Sequence, residues 1–172
     1  MWSPKRVTWR EWLGLAAGLL ALAALFLPWT ELSATDPQLR AALAELPSED
    51  VSRPVWSATF FGWFPPLLLV LTGLAVVLFG QSTRARWSGL PQLWLVATVV
   101  ALVGTVLGWV FIDWQFGEQQ RGLLTESGVS IGAGVGRYLC VAAALVSLTG
   151  AVLDVVALRT ESRLPRKERV RR

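Results

Sequence analysis

The chain has 172 residues, of which 53% are hydrophobic and 16% charged, against about 25% charged in a typical soluble domain. That balance excludes an ordinary water-soluble domain. The formal charge of +4 does not point to nucleic acid either, because twelve of the sixteen lysines and arginines lie in three short places. With a single cysteine and no histidine, an internal disulfide and histidine-ligated haem, zinc or copper are excluded, and no cofactor or metal is expected.

Lys5, Arg6 and Arg10 precede a first apolar run from Leu13 to Leu27, which closes at Pro28-Trp29. It sets a first span at about 12–29, only just long enough to cross a bilayer. The rival reading is a cleaved signal peptide with Leu32-Ser33-Ala34 as its cleavage site. The length of the run and its Pro-Trp close, in place of small residues, weigh against it. In the following loop, 30–58, Asp36-Pro37 is followed by Leu39, Ala42, Leu43 and Leu46 at helical spacing and then by Pro47. This predicts a short amphipathic helix with Asp36 as N-cap and Pro37 at its first position. Such a helix covers the end of the bundle or serves as a lid or docking element, and the cover is the simpler reading.

A second apolar run from Phe60 to Gly80 gives a span at 59–80, and a short loop carrying Arg84 and Arg86 leads to a third, Leu90 to Ile112, at 90–112. The loop 113–130 is polar and then turns glycine-rich from Gly128 to Gly136. No strand is predicted ahead of those glycines, so they do not form a dinucleotide fingerprint. Close packing at the start of the fourth helix explains them better. The fourth span, 131–158, runs into a basic tail at 159–172.

Orientation follows from the lysines and arginines. Those before the first span, between the second and third, and after the fourth share one side, which is therefore cytoplasmic. The two remaining loops together with Arg137 hold four basic against eight acidic residues and face outward. The predicted fold is an all-α integral membrane four-helix bundle, N-in/C-in, with the short amphipathic helix in its first extracytoplasmic loop. Nearly all ten tryptophans fall at predicted span ends, where an indole is both buried and hydrated. Trp12, Trp29, Trp63, Trp94 and Trp114 are the expected interface anchors.

Small residues recur at helical spacing on three spans: Gly14 and Gly18, Gly104 and Gly108, and Gly132, Gly136, Cys140, Ala143, Ser147 and Ala151. Faces of this kind let helices approach closely, within the bundle or against a partner, and internal packing is the favoured reading. Asp154 continues the last of these faces. An unpaired carboxylate at that depth costs a few kcal/mol, so a salt bridge to Arg159, Arg84 or Arg86 is expected ahead of a proton relay. Arg137, beside Tyr138, lies close in depth to Glu31, Asp113 and Glu118. An interfacial ion pair is the plain reading. The sharper one is a polar site in which Arg137 holds an anionic headgroup or substrate and Asp113 or Glu118 acts as base. In the tail, Arg166, Lys167, Arg169, Arg171 and Arg172 are expected to lie on anionic lipid of the cytoplasmic leaflet, at roughly 1 kcal/mol each. Leu71-Thr72-Gly73 recurs as Leu148-Thr149-Gly150, a short match suggesting two related helical hairpins.

Leu27-Pro28-Trp29 closing the first helix, the acidic loop after it, and Phe61-Gly62-Trp63 opening the second resemble small four-helix membrane proteins of actinobacteria. The layout also resembles claudin-type proteins, but the paired loop cysteines of that family are missing. Neither resemblance implies catalytic residues. The expected function is a non-enzymatic accessory or scaffold subunit of a larger membrane or envelope complex in the bacterial plasma membrane, with a protein partner or a second copy of itself and no nucleic acid. The alternatives are a small oligomeric transporter, channel or holin-like pore, and an envelope lipid-modifying enzyme.

Overall fold

Helix α1 (Trp9–Ala24) begins with a closed capping box. The Glu11 N–H donates to Thr8 Oγ1 at 3.4 Å, and the Thr8 N–H donates to the Glu11 carboxylate at 2.8 Å, so two exposed donors of the first turn are satisfied. The helix stops at Ala24, not at 29 as the hydropathy suggested. Pro28 has no N–H for the ladder and pushes Leu27 out of helical geometry. After a tight turn, in which Leu25 and Phe26 donate to Leu22 and Ala23 carbonyls, the chain continues as strand β1 (Pro28–Ala34). A computed structural model describes residues 7–47, 51–57, 60–111 and 117–163.

The short helix of the first loop, α2 (Pro37–Glu45), forms where it was predicted. Asp36 accepts from the Gln38 N–H at 2.7 Å, and Pro37 occupies the first turn. Strand β2 (Ser52–Pro54), a single 3-10 turn (Val55–Ser57), α3 (Phe60–Phe79), the five-residue α4 (Thr83–Trp87) and α5 (Leu90–Val110) follow. Then come α6 (Glu118–Glu126), β3 (Val129–Ala133) and the 29-residue α7 (Val135–Arg163). The chain is mostly helical, and α3, α5 and the Val135–Glu161 part of α7 are long and apolar enough to cross a membrane. At 16 residues, α1 spans about 24 Å, somewhat less than a hydrocarbon core of about 30 Å.

The fold is not all-α. A three-stranded antiparallel sheet, ordered β2-β1-β3, joins the two long loops, with Thr30 opposite both Arg53 and Ala133 and Ala34 opposite Val129. The glycine-rich stretch assigned to the start of the fourth helix makes β3 instead, and the helix begins only at Val135. Gly128, at a φ of +75°, turns the chain out of α6. A side chain at Gly134 would collide with the Pro28 carbonyl, so only glycine lets the chain leave β3 this close to β1. Gly132 is therefore a strand residue against the Glu31 carbonyl and not part of a helix-packing face.

The four longest helices pack in a closed cycle: α1 against α3 and α7, and α5 against the same two. Glycines set the crossings. A Cβ on Gly73 would collide with the Gly14 carbonyl and touch Gly18, one on Gly104 would meet Pro65 at 2.9 Å, and one on Gly108 would meet the Phe61 carbonyl at 2.7 Å. Ala143 and Ala151 are fully buried in the interior. Outward-facing side chains are apolar: Leu71, Leu78, Leu93, Val96 and Val110 are all more than half exposed. An apolar outside of this extent is unusual for a soluble monomer and matches a lipid environment. Trp12 is exposed and Trp63 half-buried, but Trp29 and Trp94 are each 1% exposed. Those two are core residues rather than surface anchors, while Trp114 lies outside the described residues.

Candidate functional site

Polar side chains inside the helix cycle are gathered along one face of α7, at three levels. At the level nearest the sheet stands Arg137, 2% exposed. Its Nε donates to the Trp29 carbonyl at 2.6 Å, Nη1 to the Gly108 carbonyl at 2.7 Å and Nη2 to Thr30 Oγ1 at 3.2 Å. The guanidinium also lies 5.8 Å from the centre of the Trp29 ring, within cation–π range. That ring is fixed in turn by its Nε1 donating to the Ala24 carbonyl at 2.7 Å. Ala24 and Gly108 sit in the last turns of α1 and α5, where unsatisfied carbonyls concentrate negative potential. The cation is thus held by one helix-end carbonyl, Gly108, together with the Trp29 carbonyl of β1 and the Thr30 hydroxyl.

The expected ion pair between Arg137 and the loop acids does not form among the described residues, where its partners are these two carbonyls and one hydroxyl. Glu118 is exposed at the start of α6, and Asp113 lies outside the described residues. An arginine this enclosed has no free face on which to hold a headgroup or substrate, so the acid–base arrangement imagined for it loses its binding group.

At mid-depth the Ser147 hydroxyl takes a hydrogen bond from Trp94 Nε1 at 3.0 Å and pairs with the Thr98 hydroxyl at 3.0 Å. One turn or two nearer the sheet, Thr105 donates to the Ala101 carbonyl at 2.8 Å, with the Cys140 thiol 3.6 Å away. Cys140 is fully buried, which removes it from reach of oxidants or electrophiles.

At the far end Asp154 is 4% exposed. Its Oδ1 receives Arg86 Nη2 at 3.3 Å and has Arg10 Nε at 3.2 Å. Arg86 was among the expected partners. Arg10 was expected only as a marker of topology, and the signal for it is its place in the first turn of the first helix, at the same end of the bundle as Asp154. Glu11 beside it is also buried, at 2% exposure, tied into the capping box. Arg137 and Asp154, grouped by the sequence as polar candidates, stand about 25 Å apart at the two ends of α7 and form two sites. Among the described residues no group of three histidines, cysteines or acids is placed to hold a metal ion. The tail residues Arg166, Lys167, Arg169, Arg171 and Arg172 lie outside the described residues.

No protein-family model, curated protein sequence or solved structure matches this chain.

Proposed function

We propose that the chain is a four-span membrane protein with both ends in the bacterial cytoplasm, acting as a non-enzymatic accessory or scaffold subunit of a larger membrane complex. In this reading α1 is the fourth span, shortened because its last residues are drawn into the sheet, and the sheet with α2 and α6 forms a platform on the outer side. The basic residues at Arg10, Arg84, Arg86 and in the tail favour that orientation.

One observation carries the scaffold reading: the interior polar groups are used up on one another. Arg137 is spent on carbonyls, Ser147 on Trp94 and Thr98, and Thr105 on its own helix. A channel needs polar groups facing an open path, and an enzyme needs a reactive group facing a substrate. The groups left facing outward are apolar helix surfaces and the polar platform, which suit packing against other proteins.

Single-cysteine variants test the topology. Ser127→Cys near the sheet and Thr160→Cys at the far end of α7 are both exposed positions, while Cys140 is too buried to interfere. A membrane-impermeant maleimide on intact cells is expected to label the first and not the second, and the reverse would overturn the orientation. Mild-detergent or polymer-disc purification of the tagged chain then tests the scaffold. A stoichiometric co-purifying membrane complex is expected, and recovery of the chain alone under several gentle conditions would sink that reading.

A further inference from the structure

The end of α7 away from the sheet carries more positive charge than carboxylate to balance it. Arg10 and Arg86 converge on a single oxygen of Asp154, and while the carboxylate is only 6% exposed, the two arginine side chains keep 18% and 22% of their surface. Among the described residues neither guanidinium has a second partner. The Arg10 Nε–H, although 3.2 Å from Oδ1, is not aimed at it and is left without a hydrogen bond. Arg10 Nε is itself buried, but each guanidinium has five N–H donors in a fixed fork, and beyond Asp154 no described residue takes the other donors of Arg10 or Arg86.

The surroundings indicate which group. Trp9 on α1 is 61% exposed and Trp87, directly after Arg86 on α4, is 67% exposed, and exposed indoles settle at the headgroup level of a bilayer. The two arginines therefore open at the depth where lipid phosphates lie. The two cations share the one carboxylate of Asp154, Glu11 being engaged in the capping box of α1, and a phosphodiester brings a single negative charge. Its two free oxygens also match the spacing of guanidinium N–H pairs.

We propose that Arg10 and Arg86 form a binding site for the phosphodiester of an anionic phospholipid headgroup, with Asp154 holding the two guanidiniums together against their mutual repulsion. Basic pockets between helices at a membrane surface take lipid headgroups in this way. The proposal rests on the membrane reading above but not on which face is cytoplasmic.

The test is a titration of the full chain in detergent micelles with phosphatidylglycerol, phosphatidylcholine and inorganic phosphate, read by native mass spectrometry of retained lipid and by thermal shift. Phosphatidylglycerol is expected to be retained about tenfold more strongly than phosphatidylcholine, and Arg86→Gln to remove most of that preference. Asp154→Asn, which removes the charge that holds the two guanidiniums together, is expected to weaken the preference as well. Arg84→Gln, an equal change of charge at an exposed position of the same short helix, is expected to leave it unchanged. If Arg86→Gln and Asp154→Asn both lower the melting temperature while the lipid preference stays as it was, the cluster is only a lock between helices and the proposal falls. Equal losses with Arg84→Gln and Arg86→Gln reduce the effect to surface charge and also overturn it. Stabilisation by inorganic phosphate as large as that by phosphatidylglycerol would overturn the lipid as the ligand source. Because micelles have no sides, failure here and failure of the orientation are separate results.

Discussion

Arg137 and Asp154 occupy opposite ends of the same helix, and each is a buried ion, yet they are neutralised by different means. Arg137 is held by the Trp29 carbonyl at the start of β1, the Gly108 carbonyl near the end of α5 and the Thr30 hydroxyl, and is sealed at 2% exposure. Asp154 is met by full charges, two for one, on side chains that stay partly exposed. The first arrangement uses every contact to tie elements together: one guanidinium joins the starts of β1 and α7 to the end of α5. The second leaves donors over. Enclosure with dipoles makes a structural joint, whereas excess charge with an open edge makes a place to bind.

The largest effect that would sharpen this contrast is at the sheet end. Arg137→Met keeps much of the side chain's bulk but removes the guanidinium's hydrogen bonds to two buried carbonyls and to the Thr30 hydroxyl. The expected loss of stability is on the order of 3–5 kcal/mol, read as a lowered unfolding midpoint in detergent by tryptophan fluorescence. Arg137→Lys recovers the charge but not the fork, so it should fall between the two. A loss below about 1 kcal/mol for the methionine variant would mean that water replaces the guanidinium, and the sheet end would then be no more of a joint than the other.

Part of this was legible in the sequence and part was not. Hydropathy located α3, α5 and α7, and Asp36-Pro37 placed α2 to the residue, because capping and proline chemistry act locally. Asp154 was legible as needing a partner, since an acid in an apolar run has few alternatives. The sheet was not legible. β1 continues an apolar run that looks helical, and β3 is five residues long and merges into the apolar start of α7, so neither run shows a period that separates strand from helix. Arg137 was misread for a related reason. Its partners are two backbone carbonyls and a hydroxyl, a set that no sequence pattern displays, whereas the loop acids stand out in the sequence. Trp29 and Trp94 follow suit: a tryptophan at a span end reads as an anchor until a glycine on a neighbouring helix is seen to make room for it.

Those two tryptophans give a second and smaller test, because each sits on a glycine of α7. A Cβ on Gly136 would come within 2.7 Å of the Trp29 indole and 3.0 Å of the Ala24 carbonyl, and one on Gly150 within 2.9 Å of the Trp94 ring. Overpacking of this sort costs about 1–3 kcal/mol. Gly136→Ala is expected to lie at the upper end, because displacing Trp29 also disturbs the carbonyl that Arg137 needs. Gly150→Ala disturbs a ring bonded to Ser147 alone and should lie lower. Equal midpoints for the two variants would indicate that Trp29 and Arg137 are not coupled. A double variant, Gly136→Ala with Arg137→Met, sharpens the result, since coupled residues give a combined loss below the sum of the single losses.

The smallest effect is expected at the arginine end, and its smallness is the point. Arg86 is 22% exposed and shares Asp154 with Arg10, so in Arg86→Gln the carboxylate keeps one cation. With a second cation still on the carboxylate, the loss should lie near about 1 kcal/mol, between the exposed and the buried extremes, and the unfolding midpoint in detergent without added lipid should move far less than in Arg137→Met. With phosphatidylglycerol present, the natural chain gains stability in proportion to lipid occupancy, and the variant should not. The difference between the two midpoints should therefore widen as lipid is added and shrink again when salt screens the exposed charges. A lipid-independent loss as large as that of Arg137→Met would make both ends of α7 structural joints and erase the distinction drawn between them.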